Sequence, residues 1–191
     1  MHPREEKSQV RLSIKQRLEA YPERQRHAES RTVCREIHKI IPNDPALSIA
    51  AYYPLKDEVD LRPLFEELLK RGVKIYLPCF EDKHFFFRLM DSTENLRPGE
   101  FKIPEPTKDA PILDPATLDI ALIPGRAFTH EGYRLGRGNG GYDLWITEQR
   151  KKNPKTKIYG VALECQILTE IPMEPHDEKV DGVITARGLI K

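Results

Sequence analysis

The sequence contains no run of apolar residues approaching the ~20 that span a bilayer. Its start, Met1-His2-Pro3-Arg4-Glu5-Glu6-Lys7, carries charges with no apolar stretch behind them and does not read as a secretory signal. An excess of one charge is missing too. Thirty-one Lys and Arg face 30 Asp and Glu, a formal net charge of +1, so nothing draws the whole surface to nucleic acid or to a membrane, and a charged ligand must be held by a local cluster. Cysteine is scarce: Cys34, Cys79 and Cys165 form no C-x-x-C pair of the kind a zinc or redox site uses, and their odd number suits neither a disulfide framework nor secretion. Repeats and low-complexity tracts are absent. The expectation is a cytoplasmic, monomeric protein with reduced, buried thiols and no nucleic-acid or membrane partner. Its 191 residues suit one domain on the usual scale of about 100–200 residues each.

What is present is an alternation of periods. Val10, Ile14 and Leu18, then Val33, Ile37 and Ile40/Ile41, mark two charged helices with one apolar stripe each. Tyr21-Pro22 separates them, because the residue before a proline avoids the helical region. Leu47–Tyr53 reads as a buried strand ended by Pro54. Asp60 is placed to cap a helix with Leu61, Leu64, Phe65, Leu68 and Leu69 on one face, which Gly72 stops. Val73–Leu77 follows as a strand that Pro78 should end, and this βαβ unit implies parallel strands. His84–Leu89 is a candidate edge strand, and 91–117, without a clear period, an extended connection. Leu118–Ile123, a helix near Tyr142–Arg150, Ile158–Leu163 and Val180–Thr185 repeat the pattern. The fold class expected is α/β: an open, mostly parallel sheet with helices on both faces, three-layered and Rossmann-like.

The most informative stretch is Gly132-Tyr133-Arg134-Leu135-Gly136-Arg137-Gly138-Asn139-Gly140-Gly141-Tyr142-Asp143. Glycines allow positive φ and close approach, so consecutive N–H groups can point at one anion. The following helix adds its N-terminal dipole, and Arg134 and Arg137 bring forked cationic donors suited to phosphate. A plain mobile loop is the competing reading. A dinucleotide fingerprint is another, since Gly136-x-Gly138-x-x-Gly141 fits G-x-G-x-x-G and Glu164 follows at a plausible distance. That fingerprint needs a strand running into its first glycine, whereas His130–Leu135 is polar and glycine-broken. No G-x-x-x-x-G-K-[ST] occurs, so this is not a standard P-loop.

A triphosphate there implies Mg²⁺, for which one or two carboxylates suffice. Asp143, directly after the loop, is the first candidate ligand and Asp177, in a polar turn, the second; each also suits an ordinary structural role. Lys7 and Arg11 form an i, i+4 cationic pair, readable as a phosphate contact or as a solvated helix face. Tyr53 and Glu58 lie beyond a strand's carboxyl end, where α/β ligands bind.

These residues resemble a known family. Arg134–Asp143 is similar to the R-L-G-x-G-x-G-Y-Y-D signature of 5-formyltetrahydrofolate cyclo-ligases. Lys7-x-x-x-Arg11, the segment Tyr53–Asp60, Ile123-Pro124-Gly125-Arg126-Ala127-Phe128, Gly160–Leu163 with Gln166, Ile171-Pro172 and His176-Asp177-x-x-Val180-Asp181 match further family blocks in order. The resemblance implies ATP contacts from Lys7, Arg11, Arg134, Leu135, Gly136, Arg137, Gly138, Asn139, Gly140, Gly141 and Tyr142. It implies substrate contacts from Tyr53, Glu58 and the 137–141 segment, and Mg²⁺ at Asp143 and Asp177. Arg137 and Tyr142 are the residues expected to take part in the chemistry. The implied reaction turns 5-formyltetrahydrofolate and ATP into 5,10-methenyltetrahydrofolate, ADP and phosphate. One departure stands out: Gly141 occupies a position where the family usually has tyrosine. A relative that keeps the ATP site but acts on another substrate is the alternative this suggests.

Overall fold

A computed structural model describes residues 3–138, 140–175 and 177–191. The first two helices are α1 (Pro3–Ala20) and α2 (Glu23–Ile40), broken at Tyr21-Pro22 as the proline requires. Ile14, Leu18, Val33 and Ile37 are at most 1% exposed, so the two stripes are the buried faces.

The main sheet holds seven strands: β1 (Ser48–Ala50), β2 (Lys74–Glu81), β3 (His84–Met90), β6 (Ile120–Ile123), β9 (Lys157–Val161), β11 (Gly182–Thr185) and β12 (Gly188–Ile190). Their spatial order is β12-β11-β9-β6-β1-β2-β3. The five inner strands run parallel, and β12 and β3 close the two edges antiparallel. Helix α3 (Arg62–Lys70) connects β1 to β2 and α4 (Gly141–Lys152) precedes β9. Alternate strand residues face opposite layers. Ile49, Ile120, Leu122 and Ile184 join the core under α1–α3, while Ala50, Ala121, Ile123 and Val183 join the core that receives Ile146 of α4. Helices thus cover both faces of a mostly parallel sheet.

Three local expectations need correction. Pro78 lies inside β2, opposite Phe87. Pairing of β2 with β1 stops at Tyr76, so beyond it β2 has a partner on one side and a missing N–H there breaks no ladder. Asp60 does not cap α3, whose N-cap position is Leu61; its carboxylate accepts the Arg62 amide at 3.1 Å instead. The connection 91–117 is not uniformly extended. It forms a small ribbon, β4 (Arg97–Pro98) with β5 (Pro104–Glu105), and lays Pro111–Leu113 along the outer edge of β3.

A second, three-stranded sheet was not expected. It comprises β7 (Ala127–Thr129), β8 (Arg134–Leu135) and β10 (Ile167–Leu168), with β7 central. Phe128 of β7, fully buried, fills the space left by two glycines. A Cβ on Gly160 would come within 2.4 Å of its ring and one on Gly125 within 2.7 Å. Packing of that ring ties the small sheet to β9 and fixes the chain that enters the glycine loop.

Candidate active site

Strand order reverses between β1 and its neighbour β6, because the chain moves outward from β1 to β2 on one side and from β6 to β9 and β11 on the other. Such a switch point opens a crevice at the strands' carboxyl ends. A cavity of about 430 Å³ is lined there by Glu58, beyond β1, and by Pro124 and Gly125, directly after β6.

The glycine loop forms its floor. Contrary to expectation a strand, β8, does run into Gly136, but it belongs to the small sheet, antiparallel to β7, and not to the parallel one. Gly138 and Gly140 hold φ of +110° and +70°, and Gly140 is the N-cap of α4. At Gly136 a Cβ would lie 2.9 Å from Arg134 Nη1, and at Gly138 one would lie 3.6 Å from Arg11 Cζ. A side chain at Gly136 would have to displace the Arg134 guanidinium, whereas at Gly138 the positive φ, not space, is what favours glycine. Arg11 Nε donates to the Gly136 carbonyl at 2.9 Å.

Helix α1 supplies the roof. Lys7 is 5% exposed, so the Lys7/Arg11 face turns to the cavity and is not a solvated surface. Lys7 Nζ donates to Glu174 at 2.8 Å and to Asp177 Oδ2. Burial pulls the ammonium pKa down, but the hydrogen bonds and charges of Asp177 and Glu174 outweigh this and leave it raised. Arg134, 3% exposed, donates to Asp143 at 2.7 Å and lies 5.6 Å from the centre of the Tyr142 ring; its Nε is buried with no partner among the described residues. Burial pushes the Tyr142 hydroxyl well above its ordinary value, so it stays a neutral phenol.

Arg137 faces the acids beyond β1. It bridges Glu58 and Asp57, and Arg126 also donates to Asp57. Glu58 accepts the Leu55 amide at 2.9 Å as well. Asp177 is set by its surroundings: its carboxylate accepts the Glu174 amide, Val180 N–H donates to the Gly132 carbonyl, and Thr147 and Arg150 of α4 hold Glu178.

The cavity therefore gathers Lys7, Arg11, Glu58, Arg134, Leu135, Gly136, Arg137, Gly138, Gly140, Tyr142, Asp143 and Asp177 from distant parts of the chain. Two expected residues are not in its lining. Tyr53 packs on the core under α1–α3 beside Arg62, and Gly141 turns its Cβ direction toward Phe85, 3.6 Å away. Asn139 and His176 lie outside the described residues. Arg4 and Glu174 line the cavity and were missed. Arg4 falls at i−3 from Lys7 on the same helix face, a signal that was readable; Glu174 carried none. Five cationic and four acidic side chains surround the space, a mixture suited to a strongly anionic ligand accompanied by a cation.

A model of the 5-formyltetrahydrofolate cyclo-ligase family matches residues 3–186. The chain belongs to that family. This makes it an enzyme of the ligase class. It is 30% identical over 176 residues to the Escherichia coli K12 5-formyltetrahydrofolate cyclo-ligase, covering 90% of this chain and 96% of the other. Against the mouse cyclo-ligase the identity is 29% over 192 residues, 92% and 91% of the two chains. The NMR structure of Aquifex aeolicus 5,10-methenyltetrahydrofolate synthetase superposes with a TM-score of 0.82 at 32% identity, over 97% of this chain and 92% of that one.

Proposed function

We propose that this cyclo-ligase family member converts 5-formyltetrahydrofolate to 5,10-methenyltetrahydrofolate, using ATP and Mg²⁺ and releasing ADP and phosphate. The observation that carries the reading is the glycine loop at the switch point, where Gly136 and Gly138 line the cavity together with Arg11 and Arg134 and Arg11 Nε donates to the Gly136 carbonyl, a backbone-and-guanidinium cradle suited to a polyphosphate.

In the reaction the formyl oxygen, a poor leaving group, takes the γ-phosphoryl group of ATP and ADP departs. N10 then attacks the activated carbon, loses its proton and expels the oxygen as phosphate, closing the ring. Lys7, Arg11, Arg134 and the amides of the 136–140 loop bind and align the triphosphate; little else is needed where catalysis is mainly positioning and charge neutralisation. Arg137 sits between the loop glycines and the Glu58 carboxylate and neutralises charge on the transferring group. Glu58 accepts N–H donors of the folate, and Tyr142 keeps a protonated hydroxyl at the cavity wall. Asn139 completes the proposed contacts, while Tyr53 and Gly141, which do not line the cavity, act on it through the Glu58 segment and the start of α4.

The oxygen donors Asp143, Asp177 and Glu174 suit a hard cation. Mg²⁺ is commonly held by one or two carboxylates, with phosphate and water completing its shell. When bound, Mg²⁺ neutralises phosphate charge; Asp143 and Asp177 would hold it.

The test is to mix the protein with 5-formyltetrahydrofolate and Mg-ATP and follow the near-ultraviolet absorbance of the methenyl product. A rise requiring all three components is expected. Gly141 favours the second reading, a relative acting on another substrate; ATP binding without any rise would put that reading first.

A further inference from the structure

Arg26 is a charged residue on an apolar stripe. With Ser30, Val33, Cys34 and Ile37 it forms the buried face of α2. It is 7% exposed, and among the described residues its guanidinium has no hydrogen-bond or ion-pair partner. Buried cations in native proteins are normally paired, because an unpaired one keeps its desolvation cost in full. This one opens onto a cavity of about 700 Å³ walled by Leu18, Pro22, Leu55 and Lys56, and onto a smaller one of about 270 Å³ that Glu58 also lines.

The acids around it are turned to other basic side chains. Glu19 lies 3.7 Å from Lys15 and Glu23 lies 3.9 Å from His27. Asp57 is shared by Arg126 and Arg137. What remains directed at the space is the Arg26 fork, with the exposed Lys56 at its rim and apolar walls between.

We propose that the cavity beside Arg26 is a carboxylate-binding subsite. A guanidinium fork matches a carboxylate with two parallel N–H···O bonds. One buried guanidinium balances a single negative charge, whereas a phosphate dianion would also face Glu19, Glu23 and Asp57. Glu58 lines both the smaller of the two Arg26 cavities and the glycine-loop cavity, so a ligand seated at Glu58 can extend to Arg26. Resting on the folate reading above, the occupant is the carboxylate of the glutamate that the folate carries far from its formyl group. A free dicarboxylate is the other source of the same chemistry.

Arg26→Met keeps the stem and removes the charge. It should fold as well as wild type in chemical denaturation, since among the described residues it breaks no hydrogen bond or ion pair of the Arg26 guanidinium; Arg26→Lys serves as the second variant if it does not. Two measurements are made on each protein. The first compares dissociation constants for 5-formyltetrahydrofolate and for its analogue lacking the glutamate. The wild type should favour the glutamate-bearing form by at least ~10-fold, about 1.4 kcal/mol. Arg26→Met should lose that preference with the analogue's affinity unchanged, and Arg26→Lys should keep part of it. The second titrates the proteins with glutarate and follows the Arg26 Nε–H resonance, or the thermal midpoint in Arg26→Met.

Loss of the preference supports the subsite with the substrate's own tail as occupant. A saturable glutarate response confined to proteins with a cation at 26, without any tail preference, supports it with a free dicarboxylate as occupant. A preference that persists in Arg26→Met, with no glutarate response in wild type, overturns it. If wild type binds neither folate form, the folate reading fails and the glutarate titration alone decides the subsite.

Discussion

The Arg137 guanidinium reaches Glu58 Oε1 from two nitrogens, Nε at 3.2 Å and Nη2 at 2.7 Å, and the same Nη2 lies 2.7 Å from Asp57 Oδ1. Two carboxylates from the segment after β1 therefore aim an arginine of the glycine loop across the mouth of the cavity. The proposed chemistry asks this arginine to meet a transferring phosphoryl group. Arg137→Ala should then lose at least ~100-fold in turnover, about 2.7 kcal/mol of barrier. Arg137→Lys keeps the charge without the fork and should recover only part. Turnover at saturating substrates measures both, and a near-normal Arg137→Ala enzyme would remove Arg137 from the mechanism.

The same pair sets a pH dependence. Burial pushes the Glu58 carboxyl above its usual value of 4.5, against the opposing charge of Arg137 and the Leu55 amide. A raised folded pKa means that Glu58 contributes stability below 4.5 and loses it as pH rises through the raised value. Asp57 has the opposite sign. Burial would raise it, but the hydrogen bond and charge of Arg137, with Arg126, hold it below 3.8, so its contribution is present above 3.8 and lost as pH falls through the lowered value. Unfolding free energies measured across this range should shift in favour of Glu58→Gln, relative to wild type, as pH rises, and against Asp57→Asn. A Glu58→Gln difference that is flat with pH would refute the burial argument.

Adjacent glycines of the loop should respond in opposite directions. Gly140 has φ of +70° with open space around its Cβ position, so Gly140→Ala costs only backbone strain, about 1–2 kcal/mol. Gly141 has no positive φ, begins α4, and a Cβ there makes ordinary contacts with Phe85 at 3.6–3.8 Å. Gly141→Ala should therefore stabilise, by about 0.4–1 kcal/mol. Chemical denaturation separates the two, and a destabilised Gly141→Ala would show that its space is not free.

The glycine loop, its arginines and Asp143 were legible in the sequence because their chemistry is local: residue types that bind anions stand within ten positions. The parallel core was legible because each strand is an apolar run and each helix a single stripe. The small sheet was not, since β8 and β10 are two residues long and draw their stability from Phe128 packed over Gly125 and Gly160. Pro78 misled because a proline's cost depends on which neighbours a strand has, and that is a property of the assembled sheet. Glu174 reaches the cavity through its contact with Lys7, 167 positions away, and Arg26 occupies a core stripe where periodicity alone would place an apolar side chain.

Lys7 gives a final test of where the cation binds. Its ammonium lies between Glu174 and Asp177, two of the carboxylates suited to Mg²⁺. Without nucleotide, a divalent cation must compete with that ammonium for the same oxygens. Lys7→Met should therefore bind Mn²⁺, a spectroscopic stand-in for Mg²⁺, more tightly than wild type in the absence of ATP, while Asp177→Asn should bind it at least ~10-fold more weakly, about 1.4 kcal/mol. With ATP present the order for Lys7→Met should reverse, because removing a phosphate-binding cation weakens the nucleotide that brings the metal in. Electron paramagnetic resonance of Mn²⁺ with and without nucleotide reads each comparison. If Lys7→Met and wild type bind Mn²⁺ equally without ATP, the cation does not use the Glu174 and Asp177 oxygens that Lys7 holds, and Asp143 becomes the carboxylate on which the metal depends.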